Sequence, residues 1–119
     1  MHEVSLVRSI FNSLEAEFNQ EELDRLQAID LRVGKLSNVE PVLMQNAFQA
    51  VKDADNRYQG VQLNVEVLPI IVECHLCSHR SQIANYRFVC DHCQTPTSQV
   101  IQGNELLIHR VHFRDQATQ

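Results

Sequence analysis

Near the start of the chain, Val4, Val7, Phe11, Leu14 and Phe18 recur three and four residues apart, with Ile10 beside them. Arg8, Asn12, Glu15 and Glu17 fall off that stripe. This spacing gathers apolar side chains on one helical face and predicts a helix over residues 4–19, closed by the polar run Asn19 to Asp24. The period then drops to two. Ile29, Leu31 and Val33 alternate with Asp30, Arg32 and Gly34, so Leu26 to Leu36 is expected to be a strand, ended by Gly34 and Ser37-Asn38. Pro41 is tolerated in a first helical turn, and Leu43, Ala47, Phe48 and Val51 follow at helical spacing, predicting a second helix over 41–54. Val61, Leu63, Val65 and Val67 alternate with Gln62, Asn64 and Glu66, the clearest strand in the sequence, and Pro69 breaks it. Turn signals at Thr95-Pro96-Thr97 and Gly103-Asn104 precede a last apolar strand, Leu106 to Phe113.

Each strand needs its apolar face covered, and two amphipathic helices are available to cover one side of a three-stranded sheet. The expected fold is α+β: two helices packed on a three-stranded sheet, with a cysteine-bearing module inserted between the second and third strands. The expected division is a discontinuous α/β domain, residues 1–69 plus 98–119, and a separate segment, residues 70–97.

That inserted segment carries Cys74-His75-Leu76-Cys77 and Cys90-Asp91-His92-Cys93, two Cys-x-x-Cys pairs twelve residues apart. Each pair sets two sulfurs on one side of a tight turn, and a hairpin brings the turns face to face. Four thiolates at the corners of a tetrahedron suit Zn²⁺, which has no d-electron geometric preference. Disulfides would need an oxidising compartment. An iron site of rubredoxin type has the same ligands, but such sites usually carry glycine after each turn, where Ser78 and Gln94 stand here. A redox dithiol needs only one pair. The reading is a structural four-cysteine zinc ribbon at Cys74, Cys77, Cys90 and Cys93. Four thiolates leave no open coordination position, so the metal is a staple rather than a catalyst. The segment is too short to bury a core of its own, so metal binding must supply its folding energy.

For His75, His79 and His92 two readings stay open: exposed polar residues, or groups that hydrogen-bond a thiolate or replace a cysteine as pH changes. His109 and His112, on the last strand, are expected at the surface.

Length and charge narrow the picture further. A chain of 119 residues is one domain, or one domain plus a small module. No segment is low in complexity or repeated. The longest apolar run, Val67 to Val72, is far too short to span a bilayer and contains Pro69. Glu3, Arg8, Glu15 and Glu17 interrupt the first eighteen residues, so no export signal is read there and a cytoplasmic location is expected. A formal charge of −5 argues against a nucleic-acid partner, which would call for a basic face.

Met1-His2-Glu3-Val4-Ser5-Leu6, Leu31-Arg32-Val33-Gly34-Lys35-Leu36-Ser37-Asn38-Val39-Glu40-Pro41, Ala47-Phe48, the paired Cys-x-x-Cys and Gly103-Asn104-Glu105-Leu106-Leu107-Ile108 occur in one collinear order. In these stretches the chain resembles the hydrogenase nickel-incorporation proteins, the HypA/HybF metallochaperone family. The resemblance covers nearly the whole chain, which is more specific than any single motif. It implies a nickel-binding N-terminus, a zinc ribbon, and delivery of Ni²⁺ during [NiFe]-hydrogenase maturation. It further implies a maturation GTPase and the hydrogenase large subunit as partners, with urease and its accessory proteins served by some members. The missing glycine after each cysteine pair is a departure that bears on the geometry of the turns.

The chemistry of the terminus is consistent with nickel. Ni²⁺ favours a square plane of strong nitrogen donors. The Met1 α-amine and the His2 amide close a five-membered chelate ring, and the His2 imidazole Nδ1 closes a six-membered ring to the same amide. The Glu3 amide is a further candidate donor. Amides must lose a proton to bind, so loading should improve as pH rises. A large second residue such as His2 normally prevents removal of Met1. Glu3 has an alternative as a first-turn acid favoured by the helix dipole, and Glu40 either completes the nickel shell or starts the second helix.

Two functions from different classes follow. One is a nickel metallochaperone holding Ni²⁺ at Met1, His2 and Glu3. The other is a zinc-ribbon interaction module with no transported metal. Neither is an enzyme: the sequence has no nucleophile–base pair, phosphate loop or open metal motif.

Overall fold

α1 runs from His2 to Glu17 and turns its apolar stripe inward: Val7, Ile10, Phe11 and Leu14 are buried, whereas Arg8, Asn12, Glu15 and Glu17 face solvent. The computed structural model describes residues 2–115, and His2 by its backbone alone. The helix begins and ends two residues earlier than the spacing predicts. The polar run that follows is not a loop. Asn19 caps a second, five-residue helix, α2 (Gln20–Asp24), accepting from the Glu22 N–H at 2.8 Å while Glu22 Oε1 accepts from the Asn19 N–H at 3.0 Å. This reciprocal capping box satisfies two backbone donors at once and lets Leu23 be buried.

The chain divides into two compact units, one of Met1–Leu31, Val39–Val65 and Ile108–Gln119, the other of Arg32–Asn38 and Glu66–Leu107. The fold is mixed α+β, with two three-stranded sheets. The first has strand order β2-β1-β6, from β1 (Leu26–Gly34), β2 (Gln62–Leu68) and β6 (Leu106–Phe113).

In the first unit, α3 (Pro41–Asp55) packs against α1. Phe11 stacks on both Phe48 and Tyr58, with ring centroids 5.5 and 4.5 Å apart. Burying side chains of this size contributes about 1.5–3 kcal/mol each. The core face of α3 is Met44, Ala47, Phe48 and Val51, while Leu43 is 44% exposed. The expected stripe was thus one residue out at its start, where Met44 and not Leu43 points inward. Tyr58 closes this face from outside the helix: its hydroxyl is 2.7 Å from Glu15, which also accepts from Arg57. Burial, then the Glu15 hydrogen bond, pushes the Tyr58 hydroxyl up to about 12.

In the second unit, β1 ends at Gly34 rather than at Leu36. The chain tightens into a 3₁₀ turn over Lys35–Ser37, with Ser37 Oγ donating to the Gly34 carbonyl at 2.7 Å and Asn38 left-handed at φ 60°. A second sheet, not read from the sequence, has order β4-β3-β5 from β3 (Ile71–Glu73), β4 (Arg80–Gln82) and β5 (Val100–Gln102). Both pairings are antiparallel, with Val72 opposite Ser81 and Val100. Its core is Ile70, Val72 and Ile83, packed with Leu36, Phe88 and Val100. Strands of three residues cannot hold position alone, so the metal turns they feed matter to their stability.

Candidate metal centre

β3 runs directly into the first cysteine turn and β4 leaves from it. In that turn the Ser78 N–H donates to the Cys74 carbonyl at 2.9 Å, and the Leu76 N–H points at Cys74 Sγ at 3.4 Å. The second turn repeats this bond for bond. Gln94 N–H reaches the Cys90 carbonyl at 2.9 Å, and His92 N–H reaches Cys90 Sγ at 3.4 Å. Each turn is closed by the first cysteine's own N–H, Cys74 to the His79 carbonyl at 2.9 Å and Cys90 to the Thr95 carbonyl at 2.8 Å. The residue after each pair is left-handed, Ser78 at φ 64° and Gln94 at φ 63°. The geometry that glycine would adopt freely is therefore kept without glycine, at a local backbone cost of about 1–2 kcal/mol per position.

The two turns face each other, and their four sulfurs lie within 4.8 Å of one another. Cys74 and Cys93, and likewise Cys77 and Cys90, stand 3.6 Å apart. A tetrahedral Zn–S distance of about 2.3 Å requires sulfurs about 3.8 Å apart, so the cluster fits a zinc ion. Cys74 and Cys90 are buried, Cys77 and Cys93 exposed.

The sulfurs divide their protons unevenly. The Cys93 thiol is pushed down to about 6, first by its hydrogen bond with the Thr95 hydroxyl and then by the Thr95 backbone N–H. Cys90 is lowered too, first by the Cys93 backbone N–H. Cys77 is pushed up to about 12: the His79 backbone N–H pulls it down, but partial loss of solvent around its sulfur and the bonds to the other three sulfurs outweigh that pull. Four sulfurs this close cannot all ionise unaided, and a divalent cation supplies the missing charge.

Other side chains tie the turns together. His79 Nε2 and Asp91 Oδ1 are 2.7 Å apart, and the His79 and His92 rings lie 5.4 Å apart between centroids. Ser81 Oγ accepts from the Asp91 N–H at 3.0 Å, and Thr97 Oγ1 donates to the Glu73 carbonyl at 3.1 Å. The sequence marks Thr95 only as part of a turn and Asp91 only as a spacer within its cysteine pair, and it does not single out Ser81. His75 is exposed.

A family model described as hydrogenase/urease nickel incorporation, metallochaperone, HypA, matches residues 1–113. This chain belongs to the HypA family. Its HypA relatives include the hydrogenase maturation factor HypA of Shewanella baltica strain OS195, 31% identical over 91% of this chain and 92% of that protein. The hydrogenase maturation factor HypA of Desulfitobacterium hafniense strain DSM 10664 / DCB-2 is 30% identical over 97% of this chain and all of that protein. Among solved structures, the Ni metallochaperone HypA from Helicobacter pylori superposes with a TM-score of 0.64 at 20% identity, covering 96% of this chain and 98% of its own. A second HypA solution structure gives 0.68 at 23% identity, with 96% and 97% covered. These two likenesses establish the HypA fold for this chain.

As for the nickel residues expected from the sequence, Met1 lies outside the described residues, as does the side chain of His2, whose backbone opens α1. Glu3 is in the first turn of α1 and only 9% exposed. Glu40 is exposed at the N-cap of α3, its carbonyl accepting from Met44 while its side chain makes no capping bond. His109 is exposed. His112, expected as a plain surface residue, is instead partly buried, with Nε2 2.7 Å from Asp30 Oδ2.

Proposed function

We propose that this HypA-family protein carries Ni²⁺ at Met1, His2 and Glu3 and hands it on during hydrogenase maturation, with a resident zinc ion holding the Cys74, Cys77, Cys90 and Cys93 ribbon. The observation that carries the reading is the family match beginning at residue 1. The backbone supports it. The N–H groups of a first helical turn have no intrahelical acceptor, so the amides of His2 and Glu3 can become ligands without breaking a helical bond. The positive end of α1 also favours the anionic nitrogens that nickel requires.

Transfer needs no catalysis. An unsaturated cargo site releases its metal by ligand exchange to a better acceptor, so the protein is a carrier rather than an enzyme. It works with the hydrogenase maturation machinery: a maturation GTPase and the hydrogenase large subunit, or urease accessory proteins, are the finer candidates. A cytoplasmic location suits that role, and among the described residues no helix is long and apolar enough to cross a membrane.

The test is a Ni²⁺ titration of tag-free, zinc-loaded protein beside His2→Ala and a variant extended by residues before Met1. Both variants should lose most of the affinity, and nickel uptake by the unaltered protein should rise with pH. Equal affinity in all three would rule out the terminal site and leave a zinc ribbon without cargo.

A further inference from the structure

In the first unit, α3 and β2 line a groove of about 310 Å³, in the size range of pockets that hold small ligands. Lys52 lines it yet is only 7% exposed. Its Nζ donates to the Val61 carbonyl at 2.9 Å and sits 4.9 Å from the centroid of the Phe48 ring. An ammonium has three donors, and buried charges are ordinarily paired. Among the described residues Lys52 has no carboxylate partner. The acids that follow it in sequence are engaged elsewhere, Asp53 accepting from Gln49 and Asp55 pairing with Arg8.

The last turn of α3 and the Phe48 ring favour a cation here, but neither accepts the ammonium's remaining donors, and holding the Val61 carbonyl does not itself require a charge. Two residues along, the Leu63 carbonyl is held by Gln45 Nε2 at 2.6 Å, with a neutral amide. Gln62, also lining the groove, is exposed and its side chain makes no hydrogen bond among the described residues.

We propose that this groove binds a carboxylate, received by the Lys52 ammonium and the Gln62 side-chain amide, and that its source is an acidic residue of a partner polypeptide. One cation beside a neutral amide matches a monoanion. A phosphate dianion would find a single positive charge in a chain of net charge −5. The inference does not depend on where nickel binds.

The test is NMR of isotopically labelled, zinc-loaded protein at fixed ionic strength, titrated separately with a capped glycine–glutamate–glycine peptide, sodium acetate and inorganic phosphate. The peptide should shift the Val61, Gln62 and Leu63 amides and the Lys52 ammonium saturably, and bind more tightly than acetate. Lys52→Gln keeps a donor for the Val61 carbonyl and should bind the peptide about tenfold more weakly, the scale of one charge-assisted bond. Gln62→Ala, at an exposed position, should weaken binding without disturbing the fold, and Lys35→Gln should leave it unchanged. Tighter binding of phosphate than of peptide, acetate matching the peptide, or peptide binding untouched in folded Lys52→Gln and Gln62→Ala would each overturn the proposal.

Discussion

Gly34 and Gly103 meet backbone to backbone: a β-carbon on Gly34 would fall inside the Gly103 carbonyl and lie 2.6 Å from the Asn104 nitrogen. The approach is fixed by Gly34 N–H donating to the Glu105 carbonyl at 2.7 Å and Leu36 N–H to the Gly103 carbonyl at 2.8 Å. Backbone atoms cannot swing aside as a side chain can. Gly34→Ala is therefore expected to cost about 3 kcal/mol or more. Gly60 is the control, at φ 82° with nothing within 4 Å of an added β-carbon, where Ala should cost only about 1–2 kcal/mol of backbone strain. Urea unfolding of the zinc-loaded variants measures both. Equal losses would mean that the Gly103 contact is not what requires glycine at position 34.

Ser78 and Gln94 hold left-handed backbones at matching places after the two cysteine pairs. Glycine relieves the strain but adds entropy to the unfolded chain, so the net gain is about 0.5–1 kcal/mol for each site. Ser78→Gly should slow loss of zinc to a competing chelator by roughly two- to fivefold. Gln94→Gly should gain less, because Gln94 Nε2 also donates to the Asp91 carbonyl at 3.3 Å. Faster zinc loss in Ser78→Gly would show that the turn is not strained by its side chain.

Cys90 is wholly buried and Cys93 is exposed, yet both complete one tetrahedron. Losing either ligand removes the cation that lets the remaining sulfurs ionise. Cys90→Ser is expected to lose zinc and to unfold mainly residues 70–97, because that stretch has only the small core of Ile70, Val72 and Ile83. Amide exchange is the measurement. Protection should vanish in β3 and β4 and persist in α1 and α3, and an even loss across the chain would contradict separate folding of the ribbon.

The elements legible in the sequence were those long enough to show a period. α1 and α3 bury every third to fourth residue and β1 buries Ile29, Leu31 and Val33 in alternation; β2, with Leu63 its one buried residue, and β6, with none, show their apolar rows in the sequence more than in burial, and the four cysteines announce themselves by spacing. What stayed hidden was short or non-local. β3, β4 and β5 have three residues each, too few to display alternation. α2 looks like a polar linker except for its Asn19–Glu22 capping box. At Leu43 and Met44 two apolar residues stand side by side, so periodicity alone does not choose which one faces inward. Val67 keeps the alternation of β2 but is 42% exposed, because a strand at the edge of a sheet need not bury its whole apolar row. His112 finds Asp30 across 82 positions of sequence, a contact that no local pattern encodes.

Asp30 accepts from Asn64 Nδ2 at 2.8 Å through one oxygen and faces His112 Nε2 at 2.7 Å through the other. These contacts hold its carboxyl below the usual carboxylate value, with the Asn64 bond the larger cause and His112 the next. Because the folded value is depressed, the contribution to stability is fully present above the unfolded value of about 3.9 and is lost as pH falls through the folded value. Titration of the Asp30 side-chain carbon in the folded protein should give a midpoint below about 3.9, rising toward it in Asn64→Ala and by less in His112→Ala. Correspondingly, the stability gap between the wild type and Asp30→Asn should narrow as pH falls below about 4. A midpoint already at the ordinary carboxylate value, or a larger rise in His112→Ala than in Asn64→Ala, would mean that the amide of β2 is not the principal partner of this carboxylate.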